Sequence, residues 1–334
     1  MKKRPQAREF AALDANCFFE PALANPRLWG EDPAQTEQIR RELREALRDL
    51  GPPASPFYAM LLMDGDSLGK LLRDYDAPKI SAALRVFSGR VQPIIEECDG
   101  VTVYAGGDDV LALLPLDQAL SAAVTLRKAY QASFAGSRTG DTIPATISGA
   151  IVYAHYNTPL TAVFREAHRL LEQVAKDETG RDSLAVAVWK GAGPILTWAA
   201  PWEIVLEAEG HVFELLVQQF SGQEGADGKE TGRRAREFTA NFFYKLRQCL
   251  AALGESGLSD LSVDQMVDVL AAEYLKTREI KTDRQEARRR VRSLLRICLR
   301  SWRDENGAVH REQRPFRLDG ALLVKFLAQK GVEP

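Results

Sequence analysis

The chain has 334 residues, of which 45% are hydrophobic and 27% charged, and its formal net charge is -2. This length is enough for two domains with separate cores, and the bulk charge excludes general polyanion binding by the chain as a whole. Its four cysteines lie far apart and no apolar run is long enough to span a bilayer, so we expect neither a zinc site, a disulfide framework nor a membrane span, and a cytoplasmic location.

Residues 1–55 predict a polar, helical lead-in. Asp32 and Pro33 are typical of a helix start, and apolar residues follow at helical spacing as far as Leu50. The stretch 51–56 contains three prolines, which cannot continue a helix. We therefore expect the lead-in to end there and a separate domain to begin near residue 56.

From Phe57 onward, short apolar strands alternate with amphipathic helices. Strands are predicted at 57–63, 101–105, 110–114, 145–154 and 183–189, and helices at 78–98, 117–134 and 159–176. The order predicts an α+β fold, a ferredoxin-like palm whose antiparallel sheet carries helices on one face. We place this domain at residues 56–198. Residues 199–334 have a mostly helical pattern and predict an all-α domain, with an exposed loop at 221–232.

Acidic residues stand at the ends of two neighbouring strands of this fold. Asp64 follows the buried run 57–63, and Asp108 and Asp109 lie in the tight turn between the strands 101–105 and 110–114. If the strands are neighbours, the carboxylates meet at one edge of the sheet, where they form a hard-oxygen site for Mg²⁺ or Mn²⁺. We interpret Asp64, Asp108 and Asp109 as metal ligands and catalytic residues of nucleotidyl transfer.

Glycines and one lysine next to these acids predict phosphate contacts. Gly106 and Gly107 allow positive φ and a close approach of a bulky substrate. Ser67, Leu68 and Gly69 form a turn whose N–H groups suit phosphate oxygens, and Lys70 adds a positive charge. Each motif alone is also an ordinary turn, because Asp and Gly are turn residues. The two motifs together, each at the end of a buried strand and in this order, favour a functional site.

The segment from Ala175 to Asp182 ends a predicted helix before the last strand. Here the chain resembles the nucleotidyl-cyclase palm of GGDEF diguanylate cyclases, in which an Ala-Lys-x-x-Gly-Arg segment brings a lysine to the triphosphate. Lys176 matches that lysine. The alternative for Lys176 is a solvated lysine at a helix C-terminus, where its charge suits the helix dipole.

Four stretches together resemble the large subunit of type III CRISPR effector complexes, which has a Gly-Gly-Asp-Asp palm. The stretches are 62–70, 104–109, 147–160 and 175–182, and the resemblance covers about residues 57–190 as the second palm, with the helical remainder as a C-terminal domain. It implies synthesis of cyclic oligoadenylate from ATP with Mg²⁺ or Mn²⁺, switched on by target RNA. It also implies crRNA and other effector subunits as partners.

The chain departs from that family ahead of the palm. Full-length members usually have a first palm, a zinc-bearing region and often an HD nuclease there, whereas only about 55 residues precede Pro56, and none of the four histidines is followed by Asp. We therefore expect a partner for full activity, either a first palm in a separate chain or a second copy of this one.

A basic segment near the C-terminus has two interpretations. The range 276–303 holds eleven Lys and Arg against three acids, a net charge of +8, which leaves -10 for the remainder. An apolar stripe from Val291 to Trp302 predicts a packed helix. The arginines are either solvated or contact RNA or a partner subunit, with Arg288, Arg289, Arg290, Arg292 and Arg296 as the candidates.

Two alternatives to the oligoadenylate synthase stay open at this point. One is a diguanylate-type cyclase, which the Asp109-Val110 pair disfavours because that family has Glu-Phe there, and to which a C-terminal helical domain is foreign. The other is a non-catalytic palm scaffold that binds nucleotide or RNA without turnover.

Overall fold

The computed structural model describes residues 19–23, 25, 33–50, 55–135, 142–190, 193–207, 210–221, 240–255, 262–277, 283–329 and 331. The chain divides into two compact units, 1–56 and 57–334. In the first unit, helix α1 spans Glu20–Leu23 and helix α2 spans Pro33–Leu50. The predicted lead-in helix is thus present, and the stretch 51–54 lies outside the described residues.

The second unit contains the predicted sheet with its helices. In chain order its first elements are β1 (Phe57–Gly65), α3 (Leu68–Asp74), α4 (Ala77–Glu97), β2 (Val101–Gly106), β3 (Asp109–Pro115), α5 (Ala119–Phe134), β4 (Ile147–His155), α6 (Leu160–Arg169), a π-helix (Leu170–Glu178), β5 (Ser183–Lys190) and β6 (Gly193–Pro201). Every predicted strand of this region is present. β6 was not predicted, and it lies across the predicted boundary at 198, which stays a prediction.

Six described strands form one sheet in the order β2-β3-β1-β4-β5-β6. All pairs are antiparallel except β4 with β5, which are parallel. The α+β, mostly antiparallel prediction is confirmed. β1 is central, and it pairs with β3 on one side and β4 on the other, so residues at its C-terminal end lie beside the β2–β3 turn.

The expectation of helices on one face of the sheet is wrong, because both faces are covered. Ala59, Leu61 and Met63 of β1 pack in the cluster that includes α4 and α5. Met60 and Leu62 point the other way, into a cluster with α6 and the π-helix. β1 is an uninterrupted apolar run, which is typical of a strand buried on both faces.

The C-terminal part of the unit contains helices and one hairpin. The elements are α7 (Trp202–Val205), α8 (Val212–Ser221), α9 (Ala240–Glu255), α10 (Val263–Thr277), α11 (Arg284–Arg296), β7 (Leu299–Arg303), β8 (Val309–Phe316) and α12 (Asp319–Ala328). The predicted loop beyond Ser221 lies outside the described residues. No described helix combines the length and apolar character needed to cross a bilayer.

The all-α prediction for this part is wrong at the β7–β8 hairpin. The apolar stripe predicted a helix through Trp302, but α11 ends at Arg296 and β7 follows. The Trp198 indole N–H donates to the Ile297 carbonyl at 2.8 Å, and the Arg317 N–H donates to the Cys298 carbonyl at 2.6 Å. These contacts satisfy carbonyls at the helix end, and they come from residues far along the chain that periodicity does not detect.

The packing of α4 on the sheet generates a stability prediction. Phe87 is fully buried and meets the Tyr130 ring edge-on, with 4.9 Å between ring centroids, whereas its neighbour Val86 is 46% exposed. We expect Phe87→Ala to lower the free energy of unfolding by about 3–5 kcal/mol, through lost burial and a cavity. The matched control Val86→Ala is expected to change it by less than about 1 kcal/mol. Urea unfolding followed by circular dichroism measures both, and equal losses would contradict this packing.

Candidate active site

The three predicted carboxylates lie together at one edge of the sheet. Asp64 is near the end of β1, Asp109 begins β3, and Asp108 lies in the β2–β3 turn. Met63 of β1 pairs with Val110 of the antiparallel strand β3. Asp64, which follows Met63, therefore stands next to Asp109, which precedes Val110. One oxygen of each of the three side chains lies within 4.8 Å of the others. The geometry needed to share a cation is therefore present.

The turn that carries Asp108 depends on one glycine in a left-handed conformation. Gly107 has a φ of +64°, and its carbonyl accepts a hydrogen bond of 3.0 Å from the Ser88 hydroxyl on α4. The expectation of positive φ at Gly106 is wrong, since Gly106 belongs to β2. A Cβ at Gly106 would meet the hydroxyl end of the Tyr104 side chain, which is 55% exposed and free to move aside.

A third glycine, Gly65, makes room for the Asp108 side chain. A Cβ at Gly65 would lie 2.7 Å from Asp108 Oδ2 and 2.6 Å from the Tyr130 hydroxyl. That hydroxyl is buried and has no hydrogen-bond partner among the described residues. The glycine of the Asp-Gly-Asp motif therefore matters as well as its acids, because Gly65 leaves room for the Asp108 carboxylate of the β2–β3 turn to lie over β1.

Crowding of the acids raises the pKa of two of them. Burial, the hydrogen bond to Asp64 and the charges of Asp64 and Asp108 raise the pKa of Asp109 to about 7. The pKa of Asp108 is also raised, mainly by burial and next by Asp64. The cluster therefore holds negative charge that its own neighbours offset only in part, and a divalent cation would relieve the remaining repulsion.

Lys176 is the positive charge that reaches the cluster. It lies on the π-helix, is only 8% exposed, and donates hydrogen bonds to Asp64 and, at 2.7 Å, to Glu172. Burial disfavours its charged form, but these two hydrogen bonds outweigh that effect and the pKa of Lys176 is raised. A buried lysine paired with a metal-ligand candidate is not the solvated helix-end lysine of the alternative interpretation.

Asp66 is a residue of this region to which the sequence assigned no role. Its buried carboxylate accepts hydrogen bonds from the Thr146 hydroxyl at 2.9 Å, the Ser148 hydroxyl at 2.7 Å and the Asp182 N–H at 2.9 Å. Asp66 thus ties the end of β1 to β4 and to the segment after the π-helix. Thr146 and Ser148 are about 80 positions from Asp66 in the chain, and the pairing of β1 with β4 brings them to it. The sequence around Asp66 alone therefore could not indicate its hydrogen bonds.

The predicted phosphate-binding turn begins a short helix. Ser67 has a φ of 56° and precedes α3, and its carbonyl accepts hydrogen bonds from the N–H groups of Lys70 and Leu71. Ser67, Gly69 and Lys70 are exposed, and Leu68 is half-buried. The turn is close to the carboxylates in the chain, but the Lys70 amide is already used within the helix. Phosphate contacts here stay a prediction.

The donor set fits a hard divalent cation. Asp64, Asp108 and Asp109 offer carboxylate oxygens, which Mg²⁺ and Mn²⁺ prefer, and one face of the cluster is exposed at Asp109. Three carboxylates with partly open surroundings leave coordination positions for phosphate oxygens.

The arginines predicted to contact RNA or a partner all lie on α11 and face acidic residues of the same chain. Arg288 pairs with Asp268, Arg292 with Asp264 and Arg296 with Glu207. Arg289 and Arg290 both pair with Glu286. None of these contacts is with the carboxylate cluster. The sequence pattern could not show the pairs of Arg288, Arg292 and Arg296, because their acids come from α10 and from residue 207, whereas Glu286 lies one turn from Arg289 and Arg290 on α11 itself.

Known proteins resemble this chain in the predicted palm. Residues 57–185 match the family described as Cas10/Cmr2, second palm domain. The "CRISPR system Cmr subunit Cmr2" of Pyrococcus furiosus is 32% identical over 204 residues, which are 52% of this chain and 23% of that protein. The "CRISPR system CMR subunit Cmr2" of Saccharolobus solfataricus is 32% identical over 100 residues, 24% of this chain and 9% of that protein.

A solved structure extends the likeness in fold. A chain of the type III-B Cmr-beta complex in its apo state has a TM-score of 0.51 and 14% identity, and the match covers 88% of this chain and 40% of that one. The resemblance inferred from the motifs is confirmed for the palm, because residues 57–185 match the Cas10/Cmr2 second palm domain. The chain spans under a quarter of the length of the curated relatives that it matches.

The raised pKa of Asp109 generates a prediction about cation binding. Because Asp109 must lose its proton to bind a cation, Mn²⁺ affinity should be highest above pH 7 and fall below it, by up to about tenfold per pH unit. Calorimetric titration with Mn²⁺ between pH 6 and 8 measures this. Asp109→Asn should bind Mn²⁺ more weakly and with a flatter pH profile, and a flat profile for the unmodified protein would contradict the assignment.

Proposed function

We propose that this chain, which carries a second palm domain of the Cas10/Cmr2 kind at residues 57–185, is a metal-dependent nucleotidyltransferase that makes cyclic oligoadenylate from ATP. The observation that carries the proposal is the meeting of Asp64, Asp108 and Asp109 with a buried lysine, Lys176. Within the family match, three carboxylates and a lysine offer the charges needed to hold a cation and a triphosphate together.

The chemistry divides between the carboxylates and the lysine. A bound Mg²⁺ or Mn²⁺ supplies charge neutralisation at the phosphates and a lower pKa for the attacking 3′-hydroxyl. Asp64, Asp108 and Asp109 would hold it. Lys176, now paired with Asp64 and Glu172, would meet the β- and γ-phosphates, where its charge opposes the negative charge of the leaving pyrophosphate.

The active site is proposed to need a second surface. Cyclisation requires two nucleotides, with the 3′-hydroxyl of one directed at the α-phosphate of the other. Among the described residues, the cluster at 64, 108 and 109 is the only group of three or more acids, histidines or cysteines close enough together to hold a cation. The acceptor nucleotide would then lie against a first palm in another chain or against a second copy of this one.

The proposed setting is a type III CRISPR RNA-guided complex. The two relatives are named as CRISPR system Cmr subunits, and the fold matches a chain of a Cmr-beta complex. On this proposal, crRNA, target RNA and other effector subunits are the partners, and target RNA is the activating signal. The paired arginines of α11 favour contacts within the chain over RNA contacts.

The first prediction of this proposal concerns turnover. Asp108→Ala combined with Asp109→Ala should lower Mn²⁺-dependent conversion of ATP by at least about a hundredfold, because the cation that stabilises the transition state is lost. Chromatography of products from ATP and from GTP, at several protein concentrations, measures it. We expect ATP to be the preferred substrate and the rate per subunit to rise with concentration if a second copy completes the site.

The control is Asp117→Ala, an exposed acid beyond the opposite end of β3. It should leave turnover unchanged. Preferential dimerisation of GTP would place the protein with diguanylate cyclases, and full ATP turnover in a folded double variant would remove the carboxylates from the mechanism.

The second prediction concerns the triphosphate. Lys176→Ala should weaken binding of ATP by about ten- to a hundredfold and binding of AMP much less, because the lost charge faces the β- and γ-phosphates. Equilibrium binding with both nucleotides, with Lys128→Ala on the exposed face of α5 as control, tests this. Equal losses for ATP and AMP would return Lys176 to a structural role.

A further inference from the structure

The segment that joins the π-helix to β5 has an unusual backbone. Gly180, Arg181 and Asp182 have φ values of 87°, 68° and 42°, so three consecutive residues lie in the left-handed region. Two of them are not glycine, and such residues take this conformation only where their surroundings enforce it. The segment directly follows the π-helix that carries Lys176.

On the side of the active site, the segment is tied to both elements that present charge. The N–H groups of Thr179 and Arg181 donate to the carbonyls of Val174 and Ala175, at 2.9 and 3.1 Å, and so close the end of the π-helix beside Lys176. The Asp182 N–H donates to Asp66 Oδ2, two residues beyond Asp64. The position of the segment therefore bears on Lys176 and on the end of β1 together.

On the other side, the segment is held by Arg303 at the end of β7. The Arg303 N–H donates to the Thr179 carbonyl at 2.8 Å, and its guanidinium donates to Asp182 Oδ2 at 3.3 Å. The Arg303 carbonyl occupies the space that a Cβ at Gly180 would need. The guanidinium also contacts Glu203 and the Gly307 carbonyl.

A second arginine secures the same carboxylate from within the palm. Arg127 of α5 donates to Asp182 through Nε at 3.2 Å and Nη2 at 3.0 Å, and both side chains are nearly buried. Arg127 thus fixes the segment to the sheet layer, whereas Arg303 fixes it to the C-terminal hairpin. Of these two arginines, Arg303 is the one that belongs to the predicted C-terminal domain, from whose start the Trp202 N–H also donates to the Asp182 carbonyl at 2.9 Å.

We propose that Arg303 is a positioning residue, through which the β7–β8 hairpin holds the 179–182 segment and thereby sets the place of Lys176 beside Asp64. A partner that displaces the hairpin would then change how the site holds a triphosphate, without touching a carboxylate. The part of this inference that concerns nucleotide rests on the proposed function. The coupling between Arg303 and Lys176 does not.

The test compares Arg303→Gln with Arg317→Gln, which removes an exposed arginine just beyond β8. The first readout is trace acetylation of Lys176, measured by mass spectrometry in the full chain without nucleotide. We expect acetylation of Lys176 to rise at least about threefold in Arg303→Gln, because a loosened segment exposes a lysine that is now 8% exposed, and to stay unchanged in Arg317→Gln. Should Arg303→Gln not fold, Arg303→Met keeps the length and apolar packing of the side chain.

The second readout is binding of ATP and AMP with Ca²⁺ present. We expect Arg303→Gln to weaken ATP binding by about tenfold and AMP binding much less, with Mn²⁺ binding by the carboxylates retained. A general loss of structure would weaken all three together, and would overturn the inference.

The outcomes separate the two proposals. Unchanged acetylation of Lys176 in a folded Arg303 variant overturns the positioning role, whatever the protein does with ATP. Raised acetylation in a protein that binds no nucleotide supports the coupling and counts against the proposed function alone.

Discussion

The mutual repulsion of three carboxylates is the constraint around which this palm is arranged. Asp64, Asp108 and Asp109 bring oxygens within 4.8 Å of one another, at a sheet edge where burial raises the pKa of Asp109 to about 7. Folding alone gives no reason to collect like charges in this way. The surrounding structure enforces it by strand pairing, by glycines at 65 and 107 that permit the close approach, and by Lys176, which offsets part of the charge.

Buried hydrogen bonds beneath the three carboxylates support that arrangement. Asp66 and Asp182 are buried acids, and Asp66 accepts hydrogen bonds from the hydroxyls of Thr146 and Ser148, whereas Asp182 accepts them from Arg127 and Arg303. A buried charge is tolerated only when it is paired and hydrogen-bonded. The network fixes where the end of β1 and the end of the π-helix lie relative to each other.

The contacts of the C-terminal region change the interpretation of its basic residues. Its most basic helix, α11, pairs its candidate arginines with acids of the same chain, so part of the local charge of +8 in the range 276–303 is offset by neighbouring acids, although Arg289 and Arg292 stay largely exposed. The residue of that range that reaches the site region is Arg303, on a strand where a helix was expected.

The sequence by itself determined five of the six strands that the structure describes in the palm sheet, and the acids at their ends. Buried strands are continuous apolar runs, and the acids and glycines follow them directly, so the local pattern was sufficient to single out Asp64, Asp108 and Asp109, whereas Lys176 was identified through the family resemblance. Only the tertiary structure decided which partners those residues have. The pairing of Asp66 with Ser148, of Asp182 with Arg303 and of Arg288 with Asp268 joins residues that are 82, 121 and 20 positions apart. The end of α11 and the β7–β8 hairpin depend likewise on Trp198 and Arg317, because a hydrogen bond from a distant residue can end a helix that its own periodicity would continue.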